Sequence, residues 1–401
     1  MNRLAAVCLA AAIGAGLVAV APPSSEAPAA FDEQTNGLAS QADFDVARGV
    51  FNERETVADG LGPTYNAQSC GECHQSPVTG GGSQISELRA GQFDGRTFSD
   101  HAGGSLIQDR AIDGSLQERV AGPDNVRAFR MSLPVLGDGF IEAIPDDAIS
   151  MIAAHQPPQM RGLAQRVPVL EASGVTRVAR FGWKAQHASL VSFAADAYLN
   201  EMAITSPLQP EENTSQGAPV DAFDTVADPE DAGTAAAPKG TDIEAFALFM
   251  RSTKAPPRDA VLAASPDAIA GQQLFARVGC STCHVADFVT APAGTPLNGG
   301  TFIVPDALGN KRIHPYSDFL LHDVGTGDGI VQNGGPQTRT MVRTPPLWGL
   351  RTRDRLMHDG LSLTRTDAVL RHGGQARPAV DQFNRLRLED RQRLIAFLNS
   401  L

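Results

Sequence analysis

Cys70-Gly71-Glu72-Cys73-His74 and Cys280-Ser281-Thr282-Cys283-His284 are two copies of one five-residue pattern, about 200 residues apart. Two cysteines three apart on a helical turn can form thioethers to the two vinyl groups of one haem. The histidine that follows is then placed to ligate the iron. Other chemistries fit less well. Zinc takes four cysteine and histidine ligands, and each copy supplies three, two of them adjacent. A redox-active dithiol wants a βαβ context, which the sequence pattern lacks. Disulfides between residues three apart are uncommon. The sequence therefore predicts covalent haem c at both copies, with Cys70, Cys73, Cys280 and Cys283 as tethers and His74 and His284 as proximal iron ligands. What stands on the far side of each iron then decides function. Two closed irons only relay electrons, whereas an open one can act on a small molecule such as peroxide.

A second likeness lies upstream of each copy. Phe44-Asp-Val-Ala-Arg-Gly-Val-Phe51 resembles Ala268-Ile-Ala-Gly-Gln-Gln-Leu-Phe275, and both carry apolar residues at helical spacing. Ser265-Pro266 supplies an N-cap and first-turn proline for the second. The chain thus reads as a diverged duplication, one unit per haem. Residues 206–240 are rich in Pro, Glu, Asp, Ala and Gly and poor in apolar residues, as in a linker or surface insertion. Thr241-Asp-Ile-Glu244 has the capping-box arrangement ahead of an apolar face of Ile243, Phe246, Ala247 and Met250. Leu388–Leu401 again shows helical periodicity, and period-two runs are few. The expected fold is mainly α: two cytochrome c-like haem domains with long ordered loops, over 30–205 and 241–401, joined through 206–240.

Length and composition agree. At 401 residues the chain exceeds one typical core. An apolar fraction of 42% with 19% charged residues suits a folded soluble protein. The formal net charge of −12 argues against nucleic acid, which selects a basic face. Residues 1–29 read as a signal peptide: Arg3, then the 17-residue apolar run Leu4–Val20, then Ala27-Pro28-Ala29 as a cleavage site. A retained anchor is the alternative, since the run is at the lower limit for a span. Cys8 lies inside it, and Val7 before it does not suit a lipoprotein site. The expectation is a periplasmic protein with no stable membrane span after processing.

Several loops are unusually specific: Tyr65-Asn-Ala-Gln-Ser-Cys70, Gly139-Phe-Ile-Glu-Ala-Ile-Pro145, Arg180-Phe-Gly-Trp-Lys184, Pro315-Tyr-Ser-Asp-Phe-Leu-Leu-His-Asp323, Arg343-Thr-Pro-Pro-Leu-Trp-Gly349 and Leu356-Met-His-Asp-Gly360. In these the chain resembles the bacterial di-haem oxidoreductases, thiol oxidoreductase-like, within the di-haem cytochrome c peroxidase superfamily. The resemblance runs from about residue 40 to 401. It implies an electron-transfer haem in one domain and a peroxide-reacting haem in the other, with Trp183 as the tryptophan between them. Ser189-Leu to Glu201-Met202 resembles the segment whose glutamate works over the N-terminal haem, which implies Glu201 as the acid/base. Glu142 is the rival carboxylate. Counting fourteen residues from His358 gives His372, where the peroxidases carry a methionine ligand and a methylamine-utilisation relative a tyrosine. The resemblance thereby points to His372 as second ligand of the C-terminal iron, with Met357, His358 and His322 as rivals. The peroxidase methionine raises the potential, and a histidine departs from that pattern. His101, His155 and His187 match no motif. Calcium between the domains is admitted by the resemblance, although no oxygen-ligand motif demands it.

The resulting expectation is an enzyme. Electrons enter at the C-terminal haem from a small redox protein, pass the Trp183 region, and reach the N-terminal haem, where peroxide or a similar small oxidant is reduced with help from Glu201. A pure electron-transfer protein is the alternative. Oxidation of a protein substrate is a third possibility.

Overall fold

In a computed structural model, residues 24–233 and 240–401 are described. The proposed leader, including Arg3, Cys8 and the Leu4–Val20 run, lies outside them as far as residue 23. Ala27-Pro28-Ala29 lies inside. Ala27 N donates to Arg312 O (2.9 Å), and Pro28 O accepts from Ala255 N (3.1 Å). Among the described residues, no helix is long and apolar enough to cross a membrane.

Each Cys-x-x-Cys-His copy follows a capped amphipathic helix. Helix α1, Gln41–Asn52, begins at Ser40, whose hydroxyl accepts from Asp43 N (3.1 Å), and it buries Phe44, Ala47 and Phe51. Helix α2, Cys70–Cys73, starts at Ser69, which caps Glu72 N (3.2 Å). Further along come α3, Asp138–Glu142, α4, Asp146–His155, and α5, Leu190–Met202. Helix α6, Asp242–Ser252, begins at Thr241, which caps Glu244 N as its sequence requires. Helix α7, Ala260–Ala263, precedes α8, Pro266–Arg277, which Ser265 caps through Ala268 N (3.2 Å). The chain closes with α9, Arg365–Arg371, α10, Arg377–Arg385, and α11, Leu388–Asn399.

The packing repeats. Phe51 at the end of α1 lies 6.2 Å from the His74 ring, and Phe275 on α8 lies 6.1 Å from the His284 ring. A closing helix completes each unit. In the second it is α11, with Phe397 5.2 Å from Phe275. In the first it is α6, with Phe249 4.7 Å from Phe51 and Phe246 5.0 Å from Tyr198 of α5. The helix that follows residue 240 thus packs on α1 and α5. The large apolar cluster around α1, α5 and α6 also takes in Phe288, Leu308, Phe319 and Trp348, so the halves share buried surface. The segment after α5 is packed too: Val220 and Asp231 are buried, and Ser215 Oγ donates to Leu116 O (2.6 Å).

The expectation of a mainly α fold is corrected to a mixed one, 33% helical and 16% strand among the described residues. The principal sheet pairs Ser86–Phe93 antiparallel with Val126–Met131 over six residues, Ser86 opposite Met131 and Gly91 opposite Val126, and places Leu106–Ile107 on the other flank. Its pattern hid it. The buried positions include Arg89 and Arg130, while Phe129 is 49% exposed, so the usual apolar-in, polar-out alternation is reversed. That face looks onto a cavity.

Candidate functional site

Two cavities flank Trp183. The C-terminal one, about 490 Å³, is lined by Cys280, Cys283 and His284 and by His372. His284 Nδ1 donates to Tyr316 O (3.0 Å) and His372 Nδ1 to Ala368 O (2.7 Å). A carbonyl only accepts, so both rings carry the proton on Nδ1 and keep the Nε2 lone pair free for a metal. The ring centroids lie 6.4 Å apart. Two imidazoles held on opposite sides of one metal, at about 2 Å from each nitrogen, span roughly that distance. Burial, the largest cause, lowers His284 to about 4 and also lowers His372, which keeps both neutral as ligands must be.

Of the rivals, His358 and Met357 line the same cavity and His322 does not. His322 is buried, bonding Asp318 Oδ2 through Nε2 (2.8 Å), and that same carboxylate oxygen accepts from Gln156 (2.7 Å). His358 bonds Thr326 O and stands edge-on to Trp183 with centroids 6.1 Å apart. Met357 lines the cavity in a left-handed conformation, φ 66°.

The N-terminal cavity is larger, about 1040 Å³, and is lined by Cys70, Cys73 and His74 but by no other histidine. His101 is taken by Asp124 (3.0 Å) and His187 by Asp196 (3.1 Å), while His155 bonds back to Met151 O (2.7 Å) at the end of α4. Burial lowers His74 to about 4. All four described cysteines are free thiols. Burial, first among the causes, pushes Cys73 and Cys280 up to about 12, the reverse of a reactive dithiol. Thiols, imidazole and adjoining cavity at both positions fit a tethered porphyrin.

Polar groups line the rest of the N-terminal cavity. Glu201, at the end of α5, receives Asn66 Nδ2 on its carboxylate (2.9 Å). Its backbone carbonyl accepts from Asn66 N (2.8 Å) and Ala67 N (3.2 Å). Carbonyls at a helix end otherwise lack partners, so this pairing fixes the loop leading into Cys70 against α5. Burial first, and then the neighbouring Glu87 charge, raise Glu201 to about 8. Glu87 itself is paired with Arg89 (2.8 Å). Beside it Arg130 makes two bonds to Asp328 Oδ2 (2.9 and 2.7 Å), and Lys184 reaches Asp328 Oδ1 (2.9 Å). Sequence reading missed Glu87, Arg89, Arg130 and Asp328. The signal for the arginines was two charges at strand-like positions whose neighbours are apolar.

Glu142 is elsewhere. It is fully buried, receives Arg251 through two bonds (2.6 and 2.9 Å), and accepts from Leu190 N and Asn298 Nδ2 (2.9 Å each). It lines neither cavity. Burial opposes its ionisation, but Arg251 and these donors prevail and its pKa is lowered. A carboxylate held ionised at the N-terminus of α5 anchors that helix and has no access to a ligand.

Trp183 lines both cavities, as do Met131 and Arg343. Its indole donates to Met131 O (2.7 Å), and its carbonyl accepts from Arg343 N (2.7 Å). Arg343 Nε reaches Gly182 O (2.7 Å). The Arg180–Lys184 and Arg343–Gly349 motifs, far apart in sequence, thus form one partition. Outside both cavities, Glu212, Asp228 and Glu230 bring carboxylate oxygens within 4.8 Å of one another.

A family model described as di-haem oxidoreductase, putative peroxidase, matches residues 105–401. No curated protein matches. Similar solved structures include hydrazine synthase of Kuenenia stuttgartiensis, at 15% identity over 99% of this chain and 100% of that one, TM-score 0.40. A MauG-like protein associated with microbial copper homeostasis is 15% identical over 95% and 94%, TM-score 0.42. The diheme peroxidase BthA of Burkholderia thailandensis E264 is 14% identical over 94% of each chain, TM-score 0.36.

Proposed function

Because the chain belongs to the di-haem oxidoreductases, we propose that it is an exported, periplasmic peroxidase-type member whose haems are of the covalent c type. Two cytochrome c-like units each carry one haem. When bound, the haems supply one-electron relay from a small redox protein at the C-terminal site to the N-terminal site and reduction there of peroxide or a similar small oxidant.

The chain's own residues have separate tasks. Cys70 and Cys73, and likewise Cys280 and Cys283, tether by thioethers. His74 and His284 offer proximal imidazoles, and His372 offers a second imidazole on the C-terminal side. Trp183 fills the partition with a polarisable ring in contact with both cavities. Glu201 holds a proton at its carboxyl near neutral pH and presents it to a ligand in the N-terminal cavity, where proton delivery to oxygen eases cleavage of an O–O bond. Asn66 orients that carboxyl. Export is supported by the leader-like residues 1–29.

The observation that carries this reading is the asymmetry of the cavities. One holds two imidazoles 6.4 Å apart, and the other holds a single imidazole facing a polar wall with Glu201. The test is the spin state of each haem in the resting and half-reduced holoprotein. We expect low-spin iron at the His284 site and high-spin iron at the His74 site, with His372→Ala turning the first high-spin. Two low-spin haems in every redox state would instead make the chain an electron-transfer protein. A His372→Ala spectrum identical to wild type would remove His372 as a ligand.

A further inference from the structure

The segment that follows the leader-like run is built into the fold. Ser25–Glu26 pairs parallel with Lys311–Arg312, Ser25 opposite Lys311 and Glu26 opposite Arg312. Ser25 N donates to Asn310 O (3.1 Å) and Ala27 N to Arg312 O (2.9 Å). On its other side Lys311–Ile313 pairs antiparallel with Phe288–Val289, which makes it the middle strand of a small sheet. The chain then crosses to the turn after α6. Ala255 N donates to Pro28 O, and Ala30 N donates to Ala255 O (3.1 Å each). We infer that residues 24–30 belong to the mature protein: export removes the chain only as far as Ala21, and these residues remain as a strap from the strand Lys311–Ile313 to the end of α6. This rests on reading the Leu4–Val20 run as an export signal.

Side chains reinforce the backbone pairing. Glu26 Oε2 lies 2.8 Å from His314 Nε2, whose Nδ1 lies 2.5 Å from Asp287 Oδ1. Lys311 Nζ donates to Ser25 Oγ (3.2 Å). Ala27 is half-buried against the large apolar cluster around α1, α5 and α6. Just beyond the strap, the chain keeps its hold on the end of α6. Lys254 pairs with Asp32 (2.7 Å), and Asn36 Nδ2 donates to Arg251 O (2.8 Å) and Thr253 O (3.0 Å).

Two places in the sequence have the small-x-small form that ends a leader. Ala19-Val20-Ala21 closes the apolar run, and Ala27-Pro28-Ala29 lies further on. A leader is cut before the chain folds, so burial of a peptide bond does not choose between them. The choice lies in what the folded protein uses afterwards. A cut after Ala29 removes Pro28 O, Ala27 N and Ser25 N. Ala255 is 5% exposed, and its amide would lose its acceptor, which is costly for a buried donor. Lys311–Ile313 would become an edge strand with unpaired backbone groups. A cut after Ala21 keeps every one of these bonds.

The first test is the intact mass of the haem-loaded protein recovered from the periplasm. Its chain should begin at Pro22. A chain that begins anywhere after Ser25 overturns the inference. A chain that keeps Met1 overturns the cleavage reading alone, and the strap is then decided by a second measurement. Chains starting at Pro22 and at Ala30 are exported behind the leader of another secreted protein, and amide hydrogen exchange of the two holoproteins is compared. The shorter chain should exchange faster in the peptide 253–257, which contains the Ala255 amide, with the peptides of α11 unchanged. Should the shorter chain fail to take up its haems, Ala27→Pro in the longer chain is read in its place. It removes the donor to Arg312 O and should speed the same amide. Exchange at Ala255 that is equal in these chains overturns the strap.

Discussion

At the scale of single residues, two glutamates that look alike in sequence have opposite surroundings. Glu201 faces a cavity with one neutral amide on its carboxylate, while Glu142 is enclosed by Arg251, Asn298 and the first amide of α5. Replacing one partner of a buried ion pair leaves the other charge uncompensated, which costs about 3–5 kcal/mol. Glu142→Gln should therefore lower thermal stability steeply while leaving peroxide turnover per haem-loaded molecule unchanged. Lost turnover at wild-type melting temperature would return Glu142 to the reaction site. The resemblance located Glu201, but neither its motif nor that of Glu142 carries the arginine that separates them, since Arg251 is 109 residues from Glu142. His372 was reachable by counting. The engagement of His322 with Asp318 and of His358 with Thr326 was not.

At the scale of elements, helices were legible because their determinants are local. Thr241 and Ser265 cap the helices their positions announce, and Ser40 and Ser69 cap those at the first copy, each worth about 1 kcal/mol. How closely two helices cross is not local. On α8, a β-carbon built at Gly271 would lie 1.9 Å from Arg393 O of α11. Gly271→Ala must push the helices apart and should destabilise the C-terminal unit by about 1–3 kcal/mol, with the absorption spectrum of the holoprotein changing at the His284 site before the His74 site on heating. Equal melting of mutant and wild type would show that the crossing has slack. The strand pair Ser86–Phe93 and Val126–Met131 was illegible for a different reason. A strand is recognised by which face is apolar, and this sheet turns Arg89 and Arg130 inward to line a cavity.

At the scale of the whole molecule, an aromatic ring from the preceding helix lies about 6 Å from the histidine of each Cys-x-x-Cys-His copy, and packing crosses the compositional break near residue 240. The acidic, proline-rich stretch precedes α6, yet α6 closes the first unit over Phe44, Phe51 and Tyr198. A fragment ending at residue 240 uncovers these side chains, at about 1.5–3 kcal/mol for each one fully exposed. It should show no cooperative thermal transition by circular dichroism. A cooperative transition matching that of the N-terminal unit in the full chain would place the boundary at 240/241.

Legible in the sequence alone were the two Cys-x-x-Cys-His copies, the helix that precedes each and the family, because each depends on residues within a few positions of one another. Only the tertiary structure decided which carboxylate faces a cavity, that the His372 and His284 rings lie 6.4 Å apart, that Trp183 lines two cavities, and that α6 packs on α1 and α5. Those depend on distances between residues tens to hundreds apart in the chain, which burial and charge pairing set only once the whole molecule has packed.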